Sequence, residues 1–201
     1  MTLLAITQRV VCATEYIERR DALDQRWAAF LKECGHTPLV LPNHPEVALQ
    51  LVKTMPVGGL ILTGGNNLVT LGGDAPERDQ TEEALIQFFM TVSLPILGVC
   101  RGMQLLQQRE GVSLQTVEGH VAVNHSVRVE GEERTVNSYH TIGARETTDN
   151  LMVEARAEDG VIEAIRHRHA KIYGMMWHPE RETPFTDSDI AFFQTFFGGS
   201  S

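Results

Sequence analysis

Pro95-Ile-Leu-Gly-Val-Cys-Arg-Gly-Met-Gln-Leu-Leu-Gln-Gln108 is the stretch that decides the fold. An apolar run ends at Val99 and a helical pattern starts at Arg101, so the segment reads as strand, tight turn, helix. The turn, Gly98-Val-Cys-Arg-Gly102, is a G-x-C-x-G, a nucleophile elbow with sulfur in place of the hydroxyl. Small residues two before and two after let strand and helix approach while the middle residue is forced outward. A thiol there faces the first backbone N–H groups of a helix, which favour the thiolate and can hold an oxyanion. The chemistry expected is attack by the Cys100 sulfur on a carbonyl carbon.

Outward from the elbow, the first half of the chain alternates strand and helix. Leu3 to Ile6, Thr37 to Leu41, Gly59 to Thr63 and Ile96 to Val99 read as short buried strands. Helices are expected over Asp21 to Cys34, Pro45 to Thr54, Asp79 to Val92 and Arg101 to Glu110, with Gly35 and Gly111 as stops and Asp21 as an N-cap. This alternation predicts an α/β fold with a mostly parallel central sheet, right-handed crossovers and helices on both faces. The second half changes character. Val121 to Val129, Thr135 to Ser138, Met152 to Ala157, Val161 to Arg166 and Lys171 to Met176 read as strands, separated by Glu130-Gly131-Glu132 and Glu158-Asp159-Gly160 turns. They are expected as antiparallel additions. A last helix, about Asp187 to Phe197, precedes a Gly198-Gly-Ser-Ser201 end expected to fray. No repeat or linker divides the 201 residues, so one domain over 1–201 is expected.

Composition narrows the class. Hydrophobic content of 42% against 21% charged describes a globular protein with a substantial core. The net charge of −9 argues against non-specific nucleic-acid binding but leaves room for a small phosphate-bearing ligand met by one or two arginines. Cys12, Cys34 and Cys100 cannot all pair within one chain, and no C-x-x-C points to zinc or a redox pair. The N-terminus has no basic leader, and no run approaches the roughly 18 apolar residues of a membrane span. A cytoplasmic protein is expected, with no membrane partner, no cofactor and no metal.

A sulfur nucleophile needs a base, and the base an orienter. The best candidates lie in Gly174-Met-Met-Trp-His-Pro-Glu180, where His178 follows a strand and Glu180 comes after a proline that fixes the turn. In parallel α/β sheets the active crevice lies beyond the carboxyl ends of the strands, where Cys100, His178 and Thr63-Gly64-Gly65-Asn66 all fall. The ordinary reading of a cysteine after a strand is a small core residue, and this is kept for Cys12 and Cys34. A lone histidine is ordinarily structural or on the surface. His120, His125, His167 and His169 are assigned no chemistry, and His140 is held between a structural role and a place in the site wall.

Taken together, Ile61-Leu-Thr-Gly-Gly65, Gly98-Val-Cys-Arg-Gly-Met-Gln104, Val136-Asn-Ser-Tyr-His140 and His178-Pro-Glu180 resemble the class I glutamine amidotransferase-like superfamily, with its flavodoxin-like core, and within it the γ-glutamyl hydrolase branch. Four motifs in order carry the resemblance, and they run through nearly the whole chain. It implies Cys100 as nucleophile, His178 as acid/base and Glu180 as its orienter. The Gly65 and Arg101 backbone N–H groups would form the oxyanion hole. Gly64 and Gln104 would contact the glutamyl group, and Asn137, Ser138, Tyr139 and His140 would help hold its amino-acid head.

Two functions of different class follow from the resemblance. One is a free-standing hydrolase of γ-glutamyl amides. The other is a glutaminase subunit feeding ammonia to a partner synthetase. A third, weaker reading is a binding protein with a vestigial site, against which the intact Cys-His-Glu set counts. Gln8 and Arg9 follow the first strand and belong to the active rim, and Arg19-Arg20 lies just beyond in a polar loop. The Ile6-Thr-Gln-Arg9 and Arg19-Arg-Asp-Ala-Leu-Asp24 segments look like compact hydrolases that act on a cytidine-diphosphoramidate-bearing glutamine in capsule sugar modification. Anionic phosphates would suit Arg9, Arg19 or Arg20, and a γ-glutamyl-γ-aminobutyrate hydrolase is the alternative. The expected partners are a small-molecule γ-glutamyl substrate and at most a second copy in a homodimer.

Overall fold

The computed structural model describes residues 1–129 and 131–198; Glu130 of the expected turn and Gly199, Ser200 and Ser201 of the expected frayed end lie outside it. The central sheet has nine strands. Its parallel part is made of β1 (Thr2–Ile6), β4 (His36–Val40), β5 (Val57–Leu62), β6 (Ile96–Val99) and β13 (Ile172–Met175). Beyond β13 the sheet continues antiparallel through β12 (Ile162–His167), β11 (Leu151–Ala157), β8 (Val121–Val129) and β9 (Glu132–Tyr139), in the order β4-β1-β5-β6-β13-β12-β11-β8-β9. The expected mixed α/β architecture is present.

Residues alternate across the sheet because successive side chains of a strand point to opposite faces. In β5, Leu60 and Leu62 join one core with Leu85, Ile86 and Phe89 of α3 (Pro76–Thr91), while Ile61 joins the other with Trp27, Phe30 and Leu31 of α1 (Arg26–Glu33). Helices α2 (Pro45–Thr54), α3 and α4 (Arg101–Arg109) cover the first face, and α1 and α5 (Asp187–Phe197) the second. No helix among the described residues is long and apolar enough to cross a membrane.

Four local expectations are corrected. The helix expected over Asp21 to Cys34 is only Arg26–Glu33, because β3 (Arg19–Ala22) pairs antiparallel with β2 (Arg9–Cys12) in a hairpin. Asp21 caps no helix: its carboxylate accepts from the Asn43 backbone N at 3.0 Å and from Asn43 Nδ2 at 2.7 Å, and Asp24 accepts from Arg26 N at 3.0 Å instead. The third helix begins at Pro76, not Asp79, since proline at the first helical position needs no donor there. Cys12 is exposed on the hairpin rather than in a core, while Cys34 is buried as expected, and burial pushes its thiol up to about 12.

The strand order positions the site. From β1 the chain moves outward to β4, then returns across β1 to β5 and on to β6. The crevice therefore opens at the carboxyl ends of β1, β5, β6 and β13, which lie side by side. With neighbouring strands about 4.8 Å apart, Thr7, Thr63-Gly64, Cys100 and the segment leading to His178 line one rim in that order.

Candidate active site

Cys100 holds φ 53° and ψ −108°, a conformation that L-residues seldom adopt, between the end of β6 and the first turn of α4. Its own N–H is tied to the Met175 carbonyl at 2.7 Å, which pins the elbow to β13. The elbow requires glycine on both sides. A side chain at Gly98 would strike the backbone of Gly102, and one at Gly102 would strike the Leu62 carbonyl of β5. No side chain caps the start of α4, so its first N–H groups remain available to an anion.

Across from the cysteine, His178 Nδ1 lies 2.7 Å from Glu180 Oε1, both residues being almost wholly buried, and the ring meets Cys100 over Gly64. Burial alone would lower the imidazolium. The Glu180 charge, the Cys100 sulfur and the hydrogen bonds to both outweigh it and raise His178 to about 9. The ring stands over Gly64, where a Cβ would lie 2.6 Å from His178 Cε1 and 3.4 Å from Cys100 Cβ. Gly64 is therefore the floor between Cys100 and His178.

Behind this floor lies a buried charge network. Arg78 is fully buried, donating from Nη2 to the Thr63 carbonyl at 2.7 Å and from Nη1 to the Gly64 carbonyl at 3.2 Å and to the Gly65 carbonyl. Glu82 accepts from Arg78 Nε at 3.0 Å and from the Thr7 hydroxyl at 2.7 Å, and pairs with Arg101, which also reaches Asp79. In a trans peptide the N–H points opposite to the C=O it adjoins. With the Gly64 carbonyl turned to Arg78, the Gly65 N–H is turned away from Arg78.

A family model described as Peptidase C26 matches residues 2–180. The chain belongs to the peptidase C26 family. As such it is a hydrolase acting on C–N amide bonds, in a glutamine amidotransferase-like fold. It is 30% identical over 190 residues to a γ-glutamyl-CDP-amidate hydrolase of Campylobacter jejuni, covering 93% of this chain and 94% of that protein. It is 28% identical over 222 residues to a γ-glutamyl-γ-aminobutyrate hydrolase of Escherichia coli strain K12, covering 89% and 85%. Its backbone also superposes on the crystal structure of a GMP synthase subunit from Thermoplasma acidophilum, with a TM-score of 0.71 at 20% identity over 98% of this chain and 94% of that one.

Within this C26 fold, the residues singled out from sequence separate into groups. Cys100, His178, Glu180, Gly64, Gly65 and Arg9 are brought together, and the Arg9 side chain packs against Gly65. Tyr139 is half-exposed, its ring 5.8 Å from that of His178, with the Arg181 guanidinium over its other surface at 4.5 Å. Other side chains are turned inward. Asn137 grips the His178 backbone, accepting from its N at 2.9 Å and donating to its O at 2.8 Å. Ser138 is fully buried and donates to the His120 carbonyl, Gln104 donates to the Ile142 carbonyl at 2.9 Å, and Gln8 to the Leu41 carbonyl at 2.8 Å. The Arg101 side chain is spent on Glu82 and Asp79, so only its backbone is left for the site. Arg19 pairs with Glu77 at 2.6 Å and donates to the Asp74 carbonyl, while Arg20 is held by Glu18 and Tyr16 on the hairpin. Arg78 and Glu82 were not foreseen from sequence. Their only signal was two opposite charges four apart on a helix, a spacing that ordinarily marks a solvated face.

Proposed function

We propose that this C26 hydrolase cleaves the γ-glutamyl C–N bond of a γ-glutamyl amide by covalent catalysis at Cys100, and that its leaving group carries a phosphate. One observation carries the mechanism. The Cys100 sulfur, held outward by an elbow at positive φ, faces the imidazole of a His178 that is itself held by Glu180. The sulfur attacks the γ-carbonyl carbon, and the Gly65 and Arg101 N–H groups receive the oxyanion. Removing one such donor typically costs about 3 kcal/mol of barrier. As the C–N bond breaks, His178 gives its proton to the departing nitrogen and a γ-glutamyl thioester is left. A water then attacks that carbon, passing a proton to His178, and the C–S bond breaks to release glutamate and the thiolate.

The phosphate reading rests on Arg9. Of the three arginines singled out in the N-terminal segment, Arg19 and Arg20 are spent on protein carboxylates, whereas the Arg9 side chain makes no ion pair or hydrogen bond among the described residues and lies against Gly65. A cation left uncommitted beside the oxyanion donors suits an anionic leaving group. The similarity to the Campylobacter γ-glutamyl-CDP-amidate hydrolase supports a CDP-phosphoramidyl glutamine as the substrate. A substrate panel tests this. Purified protein should turn over the nucleotide-linked compound far faster than glutamine or γ-glutamyl-γ-aminobutyrate. Arg9→Ala should raise KM for the phosphate-bearing substrate alone, by about 10- to 100-fold, the worth of a charge-assisted hydrogen bond. An equal loss on the aminobutyrate compound would remove the phosphate role. Glutaminase activity that appears only with an added synthetase would favour the ammonia-donor reading.

A further inference from the structure

Beside the site wall, on the antiparallel half of the sheet, three imidazoles surround one carboxylate. Glu163 of β12 is fully buried. His120 Nδ1 lies 3.2 Å from its Oε1, His140 Nε2 3.3 Å from the same oxygen, and His125 Nε2 3.6 Å from Oε2. None of these contacts has hydrogen-bond geometry: both Glu163 oxygens, His120 Nδ1, His125 Nε2 and His140 Nε2 are buried without a hydrogen-bond partner. A buried carboxylate whose oxygens have no hydrogen-bond partner is costly, and an ion held between it and the imidazoles would offset that cost.

We propose that His120, His125 and Glu163 bind a divalent transition metal of the zinc class. The donor set of two imidazoles and a carboxylate is the one such ions take. One donor atom from each of the three lies within 4.8 Å of the others. Bonds of about 2.0–2.1 Å in a tetrahedron place ligand atoms about 3.3 Å apart; His120 Nδ1 is 3.2 Å from Glu163 Oε1 and His125 Nε2 3.6 Å from Oε2, so each imidazole stands near that spacing from its own oxygen of the carboxylate. The outer shell is also in place. Metal-bound histidines ordinarily give their second nitrogen to a carboxylate, and His120 Nε2 meets Asp159 Oδ2 at 3.3 Å. His140, anchored through Nδ1 to the Ile142 carbonyl at 3.1 Å, brings its Nε2 to the same Glu163 oxygen as His120. His120, His125 and Asp159 line one surface cleft, with Glu163 set behind them. The ion would tie the segment before β8 and β8 itself to β12, behind the Asn137–Tyr139 strand that grips His178.

The test uses untagged full-length protein stripped with a chelator and titrated with Co2+ and then Zn2+, followed by visible absorption and calorimetry. Cys12→Ser and Cys100→Ala are included so that neither thiol competes. The expected result is one equivalent of Co2+ with tetrahedral absorption, displaced by Zn2+, and a higher melting temperature with metal. His125→Asn and Glu163→Gln should lose this binding, and Asp159→Asn, at an exposed outer-shell position, should weaken it by about 10-fold. Folded protein that takes up no equivalent of either ion overturns the proposal and leaves the cluster a buried group of His–Glu ion pairs. Uptake unchanged in His125→Asn overturns it as well. Should Glu163→Gln fail to fold, the wild-type and Asp159→Asn titrations still decide.

Discussion

At the scale of single residues, Cys100, the proposed nucleophile, sits in a strained backbone. Its positive φ costs about 1–3 kcal/mol in a non-glycine residue and persists because Gly98, Gly102 and the 2.7 Å bond to Met175 leave the backbone no alternative. Two substitutions separate chemistry from strain. Cys100→Ala should abolish turnover while the fold is retained, shown by an unchanged circular dichroism spectrum. Cys100→Gly should be equally inactive yet melt no lower than Cys100→Ala. That reverses the usual order, in which glycine is about 0.5–1 kcal/mol worse than alanine inside regular structure. A markedly lower melting temperature for the glycine variant would mean the elbow stores no strain.

At the scale of elements, α3 organises the catalytic rim from beneath. Arg78 and Glu82, one turn apart, lock the end of β5 through its carbonyls, the end of β1 through Thr7 and the start of α4 through Arg101. Removing one partner of a buried pair strands the other charge. Glu82→Gln leaves buried Arg78 with no carboxylate partner and buried Arg101 with Asp79 alone, and should cost about 3–5 kcal/mol in urea unfolding. Activity should fall at temperatures where the variant is still folded, because the Gly64-Gly65 turn loosens with Arg78. A loss under about 1 kcal/mol would show that the network is not what holds the rim. This network was illegible in sequence because its members are scattered over Thr7, Thr63, Arg78 and Arg101, and only the fold makes them neighbours. The elbow was legible because strand, glycines, cysteine and helix follow one another within a dozen residues.

At the scale of the whole molecule, the triad ties stability to pH. His178 is raised from an ordinary value near 6.5 to about 9 in the folded chain. A group whose folded value is raised stabilises the protein fully below its unfolded value and loses that contribution as pH rises through the folded one. The groups facing the ring are Glu180 and Cys100, with Arg181 at 3.7 Å from Glu180 and the Tyr139 ring alongside. Between about pH 6.5 and 9 the wild type should therefore lose stability relative to His178→Ala, measured as the difference in denaturant midpoint. Glu180→Gln should narrow that window from its upper end by lowering the histidine. A difference that stays flat across this range would show that His178 is not raised in the folded state.

Local patterns along the chain marked the order of the core elements and singled out Cys100, His178 and Glu180, which the fold brings together. Alternating apolar periods, G-x-C-x-G and His-Pro-Glu are local patterns, and local sterics and hydrogen bonding translate them directly into strands, an elbow and a turn. The sequence by itself missed the β2–β3 hairpin at Arg9–Cys12 and Arg19–Ala22 because that ladder gains its register from pairing across a loop, not from periodicity in either short strand. Tertiary structure alone decided which arginine is uncommitted, which polar side chains face inward, and that His120, His125 and His140 converge on Glu163. Those are outcomes of long-range packing and of charges competing for partners, and a linear pattern carries no record of distance in space.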